Sequence, residues 1–272
     1  MKKNAGEAAR EHDILVSLAA TGQVTIKDLA VRHGVSDVTI RKDLDALARR
    51  SLVRRIRGGA VALDSVDEGA FSLRLRLERE TKVALALAAA PLVRDGDTLA
   101  FDSSTTCYFL AQQILNRRNL VVITNGMRTA TLFMEQSNAM VLMPGGALRR
   151  SSGSMVGQFA DVLEGRGRIG KGFFGVKSLS PELGLLELSS EEAEAKRYLA
   201  SACDQVYGLF SSTKIGQLGL HSFAPVDSVT ALYTDDRASA GFVAGWQSHG
   251  VEVNLASQQD GWRSPGADGS PL

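Results

Sequence analysis

Between Val24 and Gly59 the chain reads VTIKDLAVRHGVSDVTIRKDLDALARRSLVRRIRGG, and few folds accept that order of residues. The spacing predicts a short helix over Ile26–Arg32, a tight turn at His33-Gly34-Val35-Ser36 and a second helix over Asp37–Arg50. Gly34 suits the turn because it takes positive φ without a Cβ clash. Ser36 can cap the second helix, its oxygen accepting from a free backbone N–H. Ile40, Leu44 and Leu47 fall at i, i+4 and i+7, one face, and should pack on the first helix. A preceding helix over His12–Ala20 is expected to turn Ile14, Leu15 and Leu18 inward. At about 100° per residue, Val38, Lys42, Asp45 and Arg49 point away from that core, with Thr39 and Arg41 on the flanks. Arg54, Arg55 and Arg57 then crowd a short strand pair ending in Gly58-Gly59.

Helix, turn, helix and basic wing in this order place a second helix in a DNA major groove, where base edges can be told apart. Ser36, Val38, Thr39, Arg41 and Lys42 are expected to meet base edges and nearby phosphates. Arg54, Arg55 and Arg57 would neutralise phosphates, which makes binding fall steeply with salt. An amphipathic helix with arginines is most often just a solvated surface. Here turn, cap, apolar spacing and basic face coincide, and that agreement across levels favours DNA. Residues 1–62 hold no Phe, Tyr or Trp, which argues against a nucleic-acid coating protein that stacks bases.

The whole-chain charge of +1 hides an asymmetry: residues 1–62 carry twelve Lys/Arg against seven Asp/Glu, so the remainder is mildly acidic. Only the head is then expected to meet nucleic acid. Cys107 and Cys203 are too few for a disulfide framework, and the four His residues sit far apart in sequence. No metal site, no cofactor and a reducing cytoplasm are expected. The apolar run Val83–Val93 is too short to span a bilayer, and the first thirteen residues lack the apolar core of a signal peptide.

The expected domains are 1–62, a charged linker over 63–80 that turns helical towards its end, a body over 81–256, and a Gly/Pro/Ser-rich disordered tail over 257–272. In the body, apolar runs at Thr98–Phe101, Leu120–Thr124, Met140–Met143, Phe173–Val176, Val206–Phe210, Thr230–Tyr233 and Val251–Leu255 read as strands. Helical stretches fall between most of them, at 104–116, 127–136, 190–203 and 236–247. Such alternation predicts a mostly parallel α/β sheet with helices on its faces, binding ligands beyond the strands' carboxyl ends.

Asp102-Ser103-Ser104-Thr105-Thr106 follows the first of these strands and opens a helix. Hydroxyls, free N–H groups and the positive end of the helix dipole converge there, which suits a phosphate. A Ser or Thr at a helix start is more often an ordinary cap, and a lone lysine is usually just solvated. Yet Thr124-Asn125-Gly126, Gly145-Gly146 and Ser211-Ser212-Thr213-Lys214 also follow expected strands, and four polar strand ends on one edge favour a pocket. The expected ligand-contacting residues are Asp102, Ser103, Ser104, Thr105, Thr106, Asn125, Gly146 and Lys214.

These residues resemble the DeoR family of bacterial transcriptional regulators. In the head the match is Val35-Ser36, Thr39 to Leu44 and Arg57 to Ala60. In the body it is Asp102 to Thr106, Thr124-Asn125, Pro144 to Gly146, Gly157, Phe173 to Gly175, Gly184, Glu194 with Lys196, Lys214 and Thr234-Asp235, together covering roughly residues 10–256. The resemblance implies a winged helix-turn-helix joined to a body similar to ribose-5-phosphate isomerase and glucosamine-6-phosphate deaminase. It implies an oligomeric repressor of a sugar or polyol operon, released from operator DNA by a phosphorylated sugar. Ser104, Lys171, Ser178 and Ser211 depart from the family pattern and are expected to line the pocket. An alternative is a sugar-phosphate isomerase with a DNA-binding head, for which Asp102, Glu191 and Glu194 offer a carboxylate base.

Overall fold

The computed structural model describes residues 10–257 except 12, 16, 19–22, 50, 51, 62–70 and 160–167. It divides into two compact units, a head (Met1–Phe71) and a body (Ser72–Leu272). The described residues of 10–18 in the head are helical (α1). They are followed by β1 (Gln23–Thr25), α2 (Ile26–His33), α3 (Asp37–Arg49), β2 (Arg54–Ile56) and β3 (Gly59–Val61). Thr25 caps α2 by accepting from the Asp28 N–H at 3.1 Å, and Gly34 ends it at φ 61, ψ 34. Ser36 accepts from the Thr39 N–H at 3.2 Å, the cap expected for α3. Ile40, Leu44 and Leu47 are fully buried with Ile14, Ile26 and Leu29. Each such side chain contributes about 1.5–3 kcal/mol by burial.

Two features of the head go beyond the sequence reading. Asp43 faces inward and pairs with Arg10 at 2.5 Å, pinning α1 to α3. The wing has three strands, ordered β1-β3-β2, because the three-residue β1 is too short to show alternation. Gly58, at φ 86, lies in the turn and Gly59 opens β3, so the glycine pair joins the strands rather than ending them. A Cβ on Gly59 would sit 2.0 Å from the Val24 carbonyl oxygen, so this position requires glycine.

The body runs α4 (Phe71–Arg76), α5 (Arg79–Ala89), β4 (Thr98–Phe101), α6 (Thr105–Gln113), β5 (Val121–Thr124), α7 (Met127–Gln136), β6 (Met140–Leu142), β7 (Ala147–Leu148) and β8 (Met155–Val156). It continues through β9 (Ile169–Gly175), β10 (Ser178–Ser180), β11 (Gly184–Glu187), α8 (Ser190–Ser201), β12 (Cys203–Leu209), β13 (His221–Ala224), β14 (Ala231–Asp235), α9 (Ala240–Gln247) and β15 (Glu252–Ala256). Seven strands form one sheet, ordered β15-β14-β12-β9-β4-β5-β6, and every pairing in it is parallel. Alternate residues serve opposite faces. Leu99, Phe101 and Phe173 pack with residues of α5, α6 and α7, while Ala100, Phe174 and Leu232 pack with residues of α8 and α9.

All seven expected strands are present, within a few residues at their ends. Missed were α5, the hairpin β7–β8 and the antiparallel sheet β10-β11-β13. Both α4 and α5 begin inside the stretch read as linker. Thr81, Leu85, Ala86 and Ala89 of α5 are buried, so its apolar run reflects packing rather than a clean amphipathic stripe. The expected tail and the first part of the expected linker lie outside the described residues, the tail from 258 onward.

From β4 the chain builds outward to β5 and β6 on one side and, beginning with β9, to β12, β14 and β15 on the other. The boundary between β4 and β9 is therefore the switch point, where open α/β sheets leave a crevice at their carboxyl edge.

Candidate functional site

On the head, Val38 (60% exposed), Arg41, Lys42 and Arg49 stand on the outer surface of α3. Ser36 and Thr39 lie at the start of that face, their hydroxyls 3.0 Å apart. Arg54 and Arg57 are exposed on the wing. Arg55, between them, is partly exposed. Its Nε donates to Asp45 at 2.9 Å and its guanidinium to the Gly59 carbonyl at 2.8 Å, bracing the wing against α3. That contact also offsets the one carboxylate expected on the basic face.

In the body, Asp102 sits at the switch point and is fully buried. One oxygen accepts from the Ser104 N–H at 3.0 Å, the other from the Gly175 N–H at 2.9 Å, so a single carboxylate ties the ends of β4 and β9 together. Ser104 caps α6, accepting from the Cys107 N–H at 3.2 Å. Ser103, Thr105 and Thr106 are buried around the same helix start. Asn125 lies beside them: a Cβ on neighbouring Gly126 would fall 2.9 Å from the Ser103 Cα. The Asn125 amide donates to the Met155 carbonyl at 3.1 Å, while none of the described residues donates to its buried Oδ1. Gly146 (φ 102) opens the β7–β8 hairpin. That hairpin docks on α7 through the Met127 N–H to the Gly153 carbonyl, 2.8 Å, and on α8 through Arg149 and Ser154, which both donate to Glu192.

Lys196 was not among the expected contact residues, yet it holds this edge together. Its ammonium, 5% exposed, lies 2.7 Å from Asp102, 2.5 Å from Glu187 and 2.7 Å from the Gly175 carbonyl it donates to. The only signal in the sequence was its place in the family match. Burial, and then the charge of Asp102, push the Cys107 thiol up, so it stays protonated and donates to the Phe173 carbonyl.

Ser211, Ser212, Thr213 and Lys214 lie at the same edge beyond β12, two strands and about 10 Å from β4. Asp235 fixes this loop, accepting from the Ser212 N–H at 2.7 Å and the Ser212 hydroxyl at 2.8 Å. Of the four departures, Ser104 and Ser211 are at the carboxyl edge, and Ser178 donates to the Gln217 carbonyl just beyond the Lys214 loop. Lys171 corrects the expectation. It pairs with Asp97 at 2.7 Å, ahead of β4, and so belongs to the amino edge, away from the crevice.

Burial alone would raise the Asp235 pKa, but hydrogen bonds from Arg237 and Ser212 outweigh it and hold the group at about 2, below its ordinary 3.8. A lowered carboxylate pKa gives stability that is complete above the unfolded value and is lost as pH falls through the folded one. The melting-temperature gap between wild type and Asp235→Asn should therefore be full above pH 3.8 and close towards pH 2. Acid melts followed by circular dichroism check this.

A cationic helix-turn-helix on one unit and a polar carboxyl edge of the sheet on the other fit a DNA-binding regulator with a sensor domain. The chain belongs to the DeoR family: a DeoR-like helix-turn-helix domain matches residues 10–66 and a DeoR C-terminal sensor domain matches residues 77–236. It is 29% identical over 260 residues to the putative aga operon transcriptional repressor of Escherichia coli O157:H7, covering 94% of this chain and 97% of that one. It is 26% identical over 249 residues to the glycerol-3-phosphate regulon repressor of Escherichia coli K12, covering 92% and 99%. Among solved structures, ribose 5-phosphate isomerase from Plasmodium falciparum aligns at 13% identity with a TM-score of 0.39 over 53% of this chain and 55% of the other. Among the described residues, no helix is long and apolar enough to cross a membrane.

Proposed function

We propose that this chain is a repressor of a sugar or polyol operon that leaves its DNA when a phosphorylated sugar enters the carboxyl edge of the sheet. The observation that carries this is the start of α6, where Ser103, Thr105 and Thr106 surround a helix N-terminus held rigid by Asp102. Such a terminus favours an anion through its dipole and free N–H groups. Asn125, with an acceptor to spare, suits a sugar hydroxyl, and Gly146 and Lys214 border the same edge. The relatives named as repressors of the aga operon and the glycerol-3-phosphate regulon support the assignment.

DNA is read by Ser36, Val38, Thr39, Arg41 and Lys42, with Arg54 and Arg57 on phosphates. The protein acts in the cytoplasm as a homo-oligomer, one head per half-site, and the effector shifts the population towards an arrangement that no longer fits both half-sites. The three carboxylates offered for the enzyme alternative are less well placed as a base. Asp102 is engaged by two amides and Lys196, and Glu191 and Glu194 are exposed on α8. A thermal-shift screen of the full chain with phosphorylated sugars and their unphosphorylated counterparts tests the reading. A phosphorylated ligand at a hundred times its Kd should stabilise by about 2.7 kcal/mol. A panel with no phosphate-dependent shift would contradict it.

A further inference from the structure

Between α4 and α5 the chain turns at Leu77 and Glu78. Glu78 has φ 50 and ψ 38, in the left-handed region that a residue with a side chain rarely adopts. Such a conformation persists where its surroundings impose it, and the contacts here do so. The Lys82 ammonium donates to the carbonyls of Arg74 (2.6 Å) and Leu77 (2.7 Å), closing the end of α4. The Lys82 N–H donates to the Glu78 carbonyl at 3.0 Å. The Glu78 carboxylate reaches across to the carboxyl edge. Its Oε2 lies 2.7 Å from the Ser211 hydroxyl and 3.0 Å from the Thr213 hydroxyl, which are themselves 2.6 Å apart and share two protons among the three contacts, and its Oε1 lies 3.7 Å from Arg237.

The loop that presents Lys214 to a ligand thus grips the first turn the body makes after the head. Ser and Thr hydroxyls each carry one proton to donate. A ligand whose phosphate turns to this loop rather than to the start of α6 competes with the Glu78 carboxylate for these hydroxyl protons, and the two anions repel each other. Resting on the reading that the carboxyl edge takes a phosphorylated ligand, we infer that Glu78 is an internal stand-in for that ligand. In the free protein it occupies the hydroxyls of Ser211 and Thr213. The incoming phosphate displaces it, frees the Leu77–Glu78 elbow, and so couples the sensing loop to the segment that leads to the DNA-binding head. Coupling of this kind is reciprocal: whatever weakens the grip of Glu78 must weaken DNA binding, and where it leaves the two hydroxyls in place it must strengthen phosphate binding.

The test uses the full chain as wild type, Glu78→Gln and the pair Ser211→Ala/Thr213→Ala. Hydrogen exchange is read over residues 74–82, DNA affinity by anisotropy on the duplex flanking the gene, and inorganic phosphate affinity by melting. The Ser211→Ala/Thr213→Ala pair should exchange about tenfold faster over 74–82 with no ligand present, and should bind DNA at least threefold more weakly. Glu78→Gln, neutral but still an acceptor, should bind inorganic phosphate at least threefold more tightly than wild type. Variants that exchange, bind DNA and bind phosphate like a wild type that does both would overturn the coupling and leave the functional reading intact. Faster exchange with unchanged DNA affinity would overturn it as well. A wild type that binds neither phosphate nor DNA would overturn the functional reading, and the coupling with it.

Discussion

Replacing Lys196 with alanine should lower the melting temperature of the body by about 10 °C. The ammonium is the shared partner of two buried carboxylates, Asp102 and Glu187, and also bonds the Gly175 carbonyl at the end of β9. Removing it leaves two buried negative charges without the cation they share. Breaking a buried pair from one side costs about 3–5 kcal/mol, and a unit of this size loses about 2–4 °C per kcal/mol. Glu187→Gln is the control. It keeps an acceptor for Lys196 and leaves one charge of each sign, so it should melt much closer to wild type. Differential scanning calorimetry of the full chain reads both, and equal melting of Lys196→Ala and wild type would refute the structural role assigned here.

The second large effect falls on the head. Arg41→Ala combined with Lys42→Ala should weaken operator binding at least a hundredfold while leaving the far-ultraviolet spectrum unchanged. Both side chains are exposed on α3, away from the Ile40, Leu44 and Leu47 core, so their loss creates no cavity. A base contact is worth about 1–3 kcal/mol and a phosphate contact lowers the salt slope by about one, so the double variant should also show a shallower dependence on salt. Arg55→Ala should act differently, through loss of the brace from Asp45 to Gly59. Binding by the double variant that matches wild type would remove α3 from the groove.

The head was legible because its signals are local. Gly34, Ser36 and the Ile40, Leu44, Leu47 spacing each fix a turn, a cap or a face within a few residues. The seven strands were legible for a related reason: a parallel sheet buried on both faces yields continuous apolar runs. What escaped depends on pairing across long separations. The role of Lys196 appears only when α8 is packed behind β4 and β9, bringing it to Asp102, and Arg55 gains its task only when the wing folds back to Asp45. Lys171 was placed at the pocket as a departure from the family pattern. It belongs to the opposite edge because β9 is seven residues long, and positions at its two ends lie at opposite edges of the sheet. The strands β10, β11 and β13 were missed because three or four residues without alternation carry no periodic signal.

The most direct measurement is fluorescence anisotropy of the full chain on a labelled duplex from the DNA flanking its gene. It would be run at constant salt and titrated with whichever phosphorylated sugar stabilises the protein most in the melt. Binding should be saturable, should be lost as that sugar phosphate is added and should be untouched by the same sugar without its phosphate. Binding that persists at saturating sugar phosphate, or that responds equally to the unphosphorylated sugar, would contradict it.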